Sequence, residues 1–398
     1  MGNVTKSQPN NIRTPDGNSL AVFVDGVSGI MMIKDIMGNI QPLSDYISGG
    51  GGSSPFQYDA NATGIEPILG TNDASGYFAT IGGGCLNTAS NYLSTVGGGC
   101  SNSASGYTST INGGYLNTAS GSFSTIGGGR YNDSSSSDST IGGGRLNTAS
   151  GARSTIGGGM CNCASGSQST IGGGRTNVAS GYRSTVGGGS GNTASGFYST
   201  VGGGFRNIAS APCSTISGGC GNTASGYGCA TVGGGACNNS SANSTTIGGG
   251  RYNNASNQCA TVVGGACNTA SGFGSNVGGC GNTSSNSFST IGGGRSNIAS
   301  GTCSTISGGN YNTASCSFST VGGGIRNTAS GSYSFIASGK CNSTNTCACA
   351  MIVGSDITAD RVCATFVNNL SIKNIPTSSA GLPSGSVWSN SGILTIVP

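Results

Sequence analysis

A unit of fifteen residues repeats along most of this 398-residue chain, and this period limits the fold more than any other feature. The unit reads I-G-G-G-x-x-N-T-A-S-G-x-x-S-T, and its aliphatic residue recurs eighteen times between Ile81 and Ile336. A short fixed period is typical of a solenoid, in which every copy forms one rung that stacks on its neighbours. With strands about 4.8 Å apart, these copies predict a rod of roughly 85 Å.

The composition of the unit predicts an all-β fold. Fifteen residues are too few for a helix pair, and Gly, Ser, Thr and Asn favour turns and strands. The segment before each glycine run, such as Phe123-Ser124-Thr125-Ile126, alternates as a strand does. The triple glycine indicates a turn that needs positive φ or close approach between rungs. We therefore expect a parallel β-roll or β-helix with two short strands and two tight turns in each fifteen-residue rung.

Two irregular intervals interrupt the period. The interval from Ile216 to Val232 is one residue long, and the interval from Val277 to Ile291 is one residue short. We interpret Ala230 as the extra residue and the short interval as its compensation. Deletion of Ala230 is then expected to disturb the nearby rungs, unless both slips are local bulges.

An Asn follows the aliphatic residue by six positions in every copy except the shortened one, where it follows by five. Asn tolerates the left-handed turn conformation, and stacked Asn side chains can bond along a ladder. We therefore interpret this column as structural rather than ligand-binding. A column of Thr, directly before the aliphatic residue, is expected on the opposite strand face. Representative Asn residues are Asn87, Asn132, Asn177, Asn222, Asn268 and Asn312.

The core of each rung is thin. A rung offers one Ile or Val and one Ala to its interior, with an occasional aromatic residue. Open sheet edges also need protection from unwanted pairing. We therefore expect several chains to assemble along a common axis.

The repeat resembles the left-handed parallel β-roll heads of trimeric autotransporter adhesins. Those heads use a fourteen-residue unit of the form A-I-G-x-x-S-x-A-x-G-x-x-S, and one additional Gly accounts for the longer unit here. The resemblance covers residues 70–350 and implies a homotrimeric rod, and we expect no counterpart here of the membrane anchor and coiled-coil stalk of those adhesins. The matching residues of one rung are Thr140-Ile141-Gly142, Asn147, Ala149, Gly151 and Ser154.

Composition divides the chain into four parts. We expect an amino-terminal β-rich attachment domain at 1–50, a Gly/Ser-rich linker at 51–68, the β-roll at 69–350 and a carboxy-terminal β cap or tip at 351–398. The segment from Gly381 to Leu394 resembles the carboxy-terminal endings of phage and large-DNA-virus fibre proteins. It contains the only tryptophan, Trp388, which we interpret as part of a distal tip.

Cysteine is abundant, with seventeen residues in mostly variable positions of the unit. Cys85 and Cys100 occupy the same position in successive copies, at a spacing that a disulfide can bridge. The odd count prevents complete pairing within one chain. Free thiols stacked in columns and disulfides formed outside the cell are both compatible with this pattern. Zinc is not expected, because the cysteine spacing is irregular and the chain has no His.

Enzymatic chemistry has few candidate residues, and we expect neither catalysis nor a cofactor. The absence of His removes triads and most general bases. Asp133 and Asp138 are the only acids between Ala74 and Ala350. Such a pair could support glycoside cleavage, but without an aromatic groove it is more typical of a solvated turn. The glycine runs also lack the Gly-Lys-Ser/Thr ending of a phosphate-binding loop.

Arginine is concentrated in one column of the repeat. Between Ala74 and Ala350 there are nine Arg and one Lys against two Asp. The column favours either solubility or attraction of anionic surface polymers such as acidic glycans. Nucleic acid is not expected, because aromatic residues are sparse along it. The residues that directly follow the triple glycine are Arg130, Arg145, Arg175, Arg251 and Arg295.

These features favour a trimeric fibre of a virus or phage particle. Residues 1–50 would attach it to a capsid or tail protein, and its surface would contact a host glycan or receptor, so its location would be the virion surface. One alternative is a bacterial surface adhesin, but the amino terminus has no apolar signal segment. The other is an ice-binding solenoid, which usually presents paired Thr ranks. No run of eighteen apolar residues predicts insertion into a membrane.

Overall fold

A computed structural model describes residues 6–7, 21–25, 31–34, 40–42, 56–58, 65–67, 71–371, 375–390 and 393–397. These residues contain no helix and form a parallel β-solenoid of about 19 rungs spaced about 15 residues apart, which confirms the predicted fold class. The chain divides into two compact units, Met1–Tyr198 and Ser199–Pro398. The glycine-rich start of the predicted linker, at 51–54, lies outside the described residues.

Each rung contributes two strands of two residues, which we call the aliphatic strand and the alanine strand. In the aliphatic strand Thr125–Ile126, Thr125 is half-buried at the surface and Ile126 is fully buried. In the alanine strand Thr148–Ala149, the same alternation buries Ala149. Successive strand residues point to opposite faces, so a β-branched residue can lie outside while its neighbour fills the interior. The outward Thr column predicted from the sequence is confirmed.

In the unit Met1–Tyr198, the rungs supply eight strands of each kind. The aliphatic strands are Thr80–Ile81, Thr95–Val96, Thr110–Ile111, Thr125–Ile126, Thr140–Ile141, Thr155–Ile156, Thr170–Ile171 and Thr185–Val186. The alanine strands are Thr88–Ala89, Ser103–Ala104, Thr118–Ala119, Asp133–Ser134, Thr148–Ala149, Cys163–Ala164, Val178–Ala179 and Thr193–Ala194.

The unit Ser199–Pro398 repeats this arrangement. Its aliphatic strands are Thr200–Val201, Thr215–Ile216, Thr231–Val232, Thr246–Ile247, Thr261–Val262, Asn276–Val277, Thr290–Ile291, Thr305–Ile306, Thr320–Val321 and Phe335–Ile336, followed by Met351–Val353 and Thr365–Val367. Its alanine strands are Ile208–Ala209, Thr223–Ala224, Asn239–Ser240, Asn254–Ala255, Thr269–Ala270, Thr283–Ser284, Ile298–Ala299, Thr313–Ala314 and Thr328–Ala329.

Parallel pairing holds successive rungs in register. Thr125 pairs with Thr140 and Ile126 with Ile141, so like residues stack on like residues. The backbone N–H of Gly127 donates to the carbonyl of Ile141 at 2.8 Å. The turn beyond the glycines continues the ladder, since Arg130 N–H donates to the Gly144 carbonyl at 2.9 Å. Each rung therefore satisfies its backbone groups with its neighbours, as a solenoid requires.

Both predicted uses of the triple glycine occur, at different glycines. Gly129 has a φ of 88°, a conformation that L side chains avoid. A Cβ on Gly127 would lie 2.3 Å from the carbonyl oxygen of Gly142 in the next rung. The left-handed conformation expected of the Asn column falls instead on the preceding residue, for example Tyr131 with a φ of 58°. That expectation was wrong in position because the turn ends one residue before Asn132.

The two irregular intervals are absorbed locally, and the assignment of the extra residue to Ala230 was wrong. Ala230 is fully buried, whereas Tyr227 is 96% exposed, so the extra residue loops out at Tyr227-Gly228. Across this rung Thr215 still pairs with Thr231. The short interval lacks one glycine, and Val277 still pairs with Ile291. The strands on both sides of each irregular interval stay paired in register, so neither interval has to compensate for the other.

Short β elements flank the rungs. Lys6–Ser7, Ala21–Asp25, Met31–Lys34 and Ile40–Pro42 form one sheet in that order, its first pair parallel and the others antiparallel. Phe56–Tyr58 pairs antiparallel with Ile65–Pro67, and Ile65 pairs with Thr80 of the first rung. At the carboxy terminus, Val387–Asn390 and Ile393–Ile396 form the antiparallel hairpin predicted there, although its turn at 391–392 lies outside the described residues.

Candidate binding surfaces

The Asn column forms a buried hydrogen-bond ladder. The side-chain Nδ2 of Asn147 donates to Asn132 Oδ1 at 3.1 Å and to the carbonyls of Gly143 and Gly159 at 3.0 Å. Its Oδ1 accepts the backbone N–H of Asn162 at 3.0 Å. The amide has no capacity left for a ligand, which agrees with the structural role expected from the sequence. The representative residues Asn87, Asn132, Asn177, Asn222, Asn268 and Asn312 are all buried.

The predicted arginine column is present at the surface of both units. In the first unit, Arg130 forms a parallel bridge with Arg145, and Met160 lies between Arg145 and Arg175. All three arginines are exposed. In the second unit, Ala266 and Cys280 separate the exposed Arg251 and Arg295 in the same column.

The column carries uncompensated positive charge. The ion pairs among the described residues join Arg153 to Asp138, Lys340 to Asp356 and Arg361 to Asp360. None of them includes a column arginine. Arg145 instead directs its Nη2 to the sulfur of Met160 at 3.3 Å. The column guanidinium groups therefore retain donors that a carboxylate, sulfate or phosphate could accept.

The turn between each alanine strand and the next aliphatic strand, which we call the opposite turn, contains arginines whose side chains have partners within the protein. Arg153 lies 3.9 Å from Asp138, and Arg183 Nε donates to Gln168 Oε1 at 2.7 Å. The guanidinium of Arg183 also lies 5.0 Å from the centroid of the Tyr182 ring. These partners reduce the donors available to an external anion, so the column is the better candidate surface.

The two acidic residues considered for catalysis occupy different parts of their rung. Asp133 lies in the alanine strand, where partial burial raises the pKa of its carboxyl. Asp138 lies in the turn at a φ of 56°, near Arg153. The two carboxylates lie in different environments, and nothing in their arrangement indicates that they act together in a reaction.

A surface stack of aromatic rings was not anticipated; Tyr77, Tyr107 and Phe123 are exposed and Tyr92 is half-buried. The rings of Tyr92 and Tyr107 are stacked at 5.1 Å, and Tyr107 meets Phe123 edge-on at 5.5 Å. Tyr77 continues the stack at 6.0 Å from Tyr92. The signal was present in the sequence, because Tyr77, Tyr92 and Tyr107 each precede the aliphatic residue by four positions.

Trp388 lies in the strand Val387–Asn390, where it pairs with Thr395. Its role at a distal tip stays a prediction. The cysteines of the described rungs are free thiols, and Cys85 Sγ lies 2.7 Å from Cys100 Sγ.

Among the residues that the structure describes, no group of three or more His, Cys, Asp or Glu side chains is placed to hold a metal ion. The same residues include no helix with the length and apolar character needed to cross a bilayer. No protein-family model and no curated protein matches the sequence.

Proposed function

We propose that this chain is a structural fibre protein of a virus or phage particle and acts as a homotrimer in attachment to a host surface. The observation that carries the proposal is the contrast between a uniform interior and a variable exterior. Each of the eighteen repeat copies buries an aliphatic residue and an Asn, while the exposed positions after the glycines and in the opposite turn change from rung to rung. This is the arrangement of a scaffold that presents side chains in columns.

The trimer is supported by exposed apolar side chains on a thin core. Phe78, Leu86, Phe123 and Leu146 lie outside the rungs of the first unit and are each about half exposed. Association of chains would remove such surfaces from water. It would also protect strand edges, and closed cyclic symmetry suits a stack of this kind.

The arginine column is the proposed contact with the host. Its guanidinium groups, which form no ion pair, stand one, two or three rungs apart within each unit, so they can meet an extended polymer at several points. Acidic glycans match this pattern because bidentate contacts and long-range attraction both favour repeated anionic groups. Residues 1–50 are the proposed attachment to the particle, and the carboxy-terminal hairpin with Trp388 is the proposed tip.

The mass of the intact protein in solution tests the assembly. Light scattering of the full chain should give three times the 38.5 kDa of one chain, and the trimer should persist in mild detergent. A folded, stable monomer would contradict the proposal. In purified particles, removal of residues 1–50 should abolish incorporation, whereas normal loading of the truncated chain would show that another segment attaches.

The Thr column favours ice binding as a second candidate. Thr110, Thr125 and Thr140 stack in register on one face of the first unit, with one Thr per rung. A measurement of thermal hysteresis with the purified protein separates the two functions. Hysteresis that disappears in a Thr125→Lys variant would favour ice binding over host attachment.

A further inference from the structure

The first two rungs carry a pair of thiols in direct contact. Cys85 and Cys100 each follow the triple glycine of their rung and form a parallel bridge. The backbone N–H of Cys85 donates to the Gly99 carbonyl at 3.0 Å, which holds the two rungs in register. The two Sγ atoms lie 2.7 Å apart. Cys85 is exposed and Cys100 is half-buried, so a small reagent can reach the pair from solvent.

The contact makes the two thiols chemically unequal. The Cys85 thiol donates to Cys100, and this hydrogen bond raises the pKa of Cys85. The same bond, together with one from the Ser101 hydroxyl, lowers the pKa of Cys100. Because the thiolate is the nucleophile, Cys100 is the attacking member of the pair and Cys85 stands ready to resolve the product.

We propose that Cys85 and Cys100 are a modification site that reacts with low-molecular-weight disulfides and closes into a disulfide between the first two rungs. The Cys100 thiolate attacks one sulfur of the small disulfide, forms a mixed disulfide and releases one small thiolate. Cys85 then loses its proton and attacks the Cys100 sulfur, which releases the second small thiolate. Two electrons pass from the protein to the reagent, and two small thiols are the products.

The bond would fasten the end of the stack. On its amino-terminal side the first rung meets only the short pairings of Ile65 with Thr80 and of Asp73 with Thr88, so it should open more readily than an interior rung. A disulfide from Cys85 to Cys100 ties the first rung to the second across a segment of one repeat. The reaction thus adds a covalent link between the first two rungs, and it does not depend on the proposed host attachment.

Redox titration of the full-length protein tests the site. The reduced protein is equilibrated with mixtures of reduced and oxidised glutathione, quenched with acid, alkylated and mapped by mass spectrometry. We expect the peptide linking Cys85 to Cys100 to form at a more reducing glutathione ratio than any link between Cys213 and Cys229. Those two cysteines also occupy one position in successive rungs, but within the described residues no hydrogen bond joins their thiols.

Two variants assign the separate roles. In the Cys85→Ser variant, Cys100 should remain as a persistent mixed disulfide with glutathione. In the Cys100→Ser variant, Cys85 should react with oxidised glutathione more slowly than Cys100 does in the Cys85→Ser variant. In the oxidised wild type, amide hydrogen exchange between residues 86 and 99 should slow by about tenfold or more. Formation of the Cys85–Cys100 link only after denaturation would overturn the proposal. Equal half-oxidation ratios for both cysteine pairs, or unchanged exchange after oxidation, would also overturn it.

Discussion

At the scale of single residues, the interior of a rung combines apolar packing with polar side chains whose hydrogen bonds are not all alike. The Asn amides are fully engaged, but the Ser hydroxyls that precede the outward Thr differ between rungs. Ser139 Oγ donates to the Ser136 carbonyl at 2.6 Å and lies 2.7 Å from Ser134 Oγ. The buried Oγ of Ser154, one rung further on, has no hydrogen-bond partner.

This difference predicts unequal costs for the same substitution. Ser139→Ala removes two good hydrogen bonds and should lower stability by about 1 kcal/mol. Ser154→Ala removes a hydroxyl that has no partner and should be neutral or slightly stabilising. Thermal unfolding of the two variants, followed by circular dichroism, measures the difference. Equal losses would show that Ser154 also has a partner in solution.

A second prediction at this scale concerns Asp133, whose neighbours along the alanine strands are Thr118 and Thr148. Partial burial raises the pKa of Asp133, so folding disfavours its charged form. The wild type should therefore lose stability as pH rises through this pKa, and no such loss occurs below the unfolded value. Asp133→Asn should raise the unfolding temperature at pH 7 and leave it nearly unchanged at pH 3. A benefit of equal size at both values would exclude the electrostatic cause.

At the scale of the element, the rung tolerates changes in its turns far better than changes in its strands. The loop at Tyr227-Gly228 adds a residue, while the strands on either side keep their pairing. A slip inside a strand would instead exchange its inner and outer faces. The fold therefore restricts mainly the residues of the strands and the backbone conformation of the glycine turn.

Two single-residue deletions distinguish these cases. Deletion of Gly228 restores the regular interval and leaves Ala230 at its buried position, so the unfolding temperature should hardly change. Deletion of Thr215 should move Ile216 out of the interior and cost about 1.5–3 kcal/mol for the exposed side chain alone. Thermal unfolding of both variants provides the measurement. A large loss on deletion of Gly228 would restore the idea that the two irregular intervals compensate each other.

The fold class, the buried aliphatic and Asn columns and the arginine column could be predicted because a period in the sequence becomes a column in space. The stacking of Cys85 on Cys100 follows from the same period, but the hydrogen bond between their thiols and the unequal Ser hydroxyls could not be predicted, because they depend on side-chain directions across neighbouring rungs. Ala230 shows the same limit. The sequence reveals that its interval is long, but only the backbone hydrogen bonds decide that Tyr227-Gly228 loops out and Ala230 packs inside.

At the scale of the whole molecule, the chain combines few acids with a basic surface. Its formal net charge is +4 at pH 7 and its sequence pI is about 8.3, so the positive charge falls toward zero as the pH rises above 7. Attraction to anionic surfaces should accordingly weaken with added salt and also as the pH rises from 7 toward 8. What distinguishes specific attachment from general attraction is the position of the arginines.

A charge-matched pair of double variants tests that distinction. Arg130→Gln/Arg145→Gln removes two adjacent column charges, whereas Arg153→Gln/Arg183→Gln removes two charges from the opposite turn. Both variants lose the same net charge. On immobilised heparin, used as a sulfated glycan probe, the column variant should elute at clearly lower salt than its control. Identical elution would mean that binding follows net charge alone.

The Asn ladder also bears on how this protein ages. An Asn side chain deamidates when the following backbone nitrogen attacks its amide carbon, and this reaction makes Asn one of the thermolabile residues. Here the nitrogen after Asn147, that of Thr148, donates to the Asn162 carbonyl at 2.8 Å, while the side chain is held at both its nitrogen and its oxygen. Attack requires the rung to open first. The rate of Asn deamidation in each rung should therefore follow how often that rung opens. In aged protein we expect deamidated Asn mainly in the end rungs.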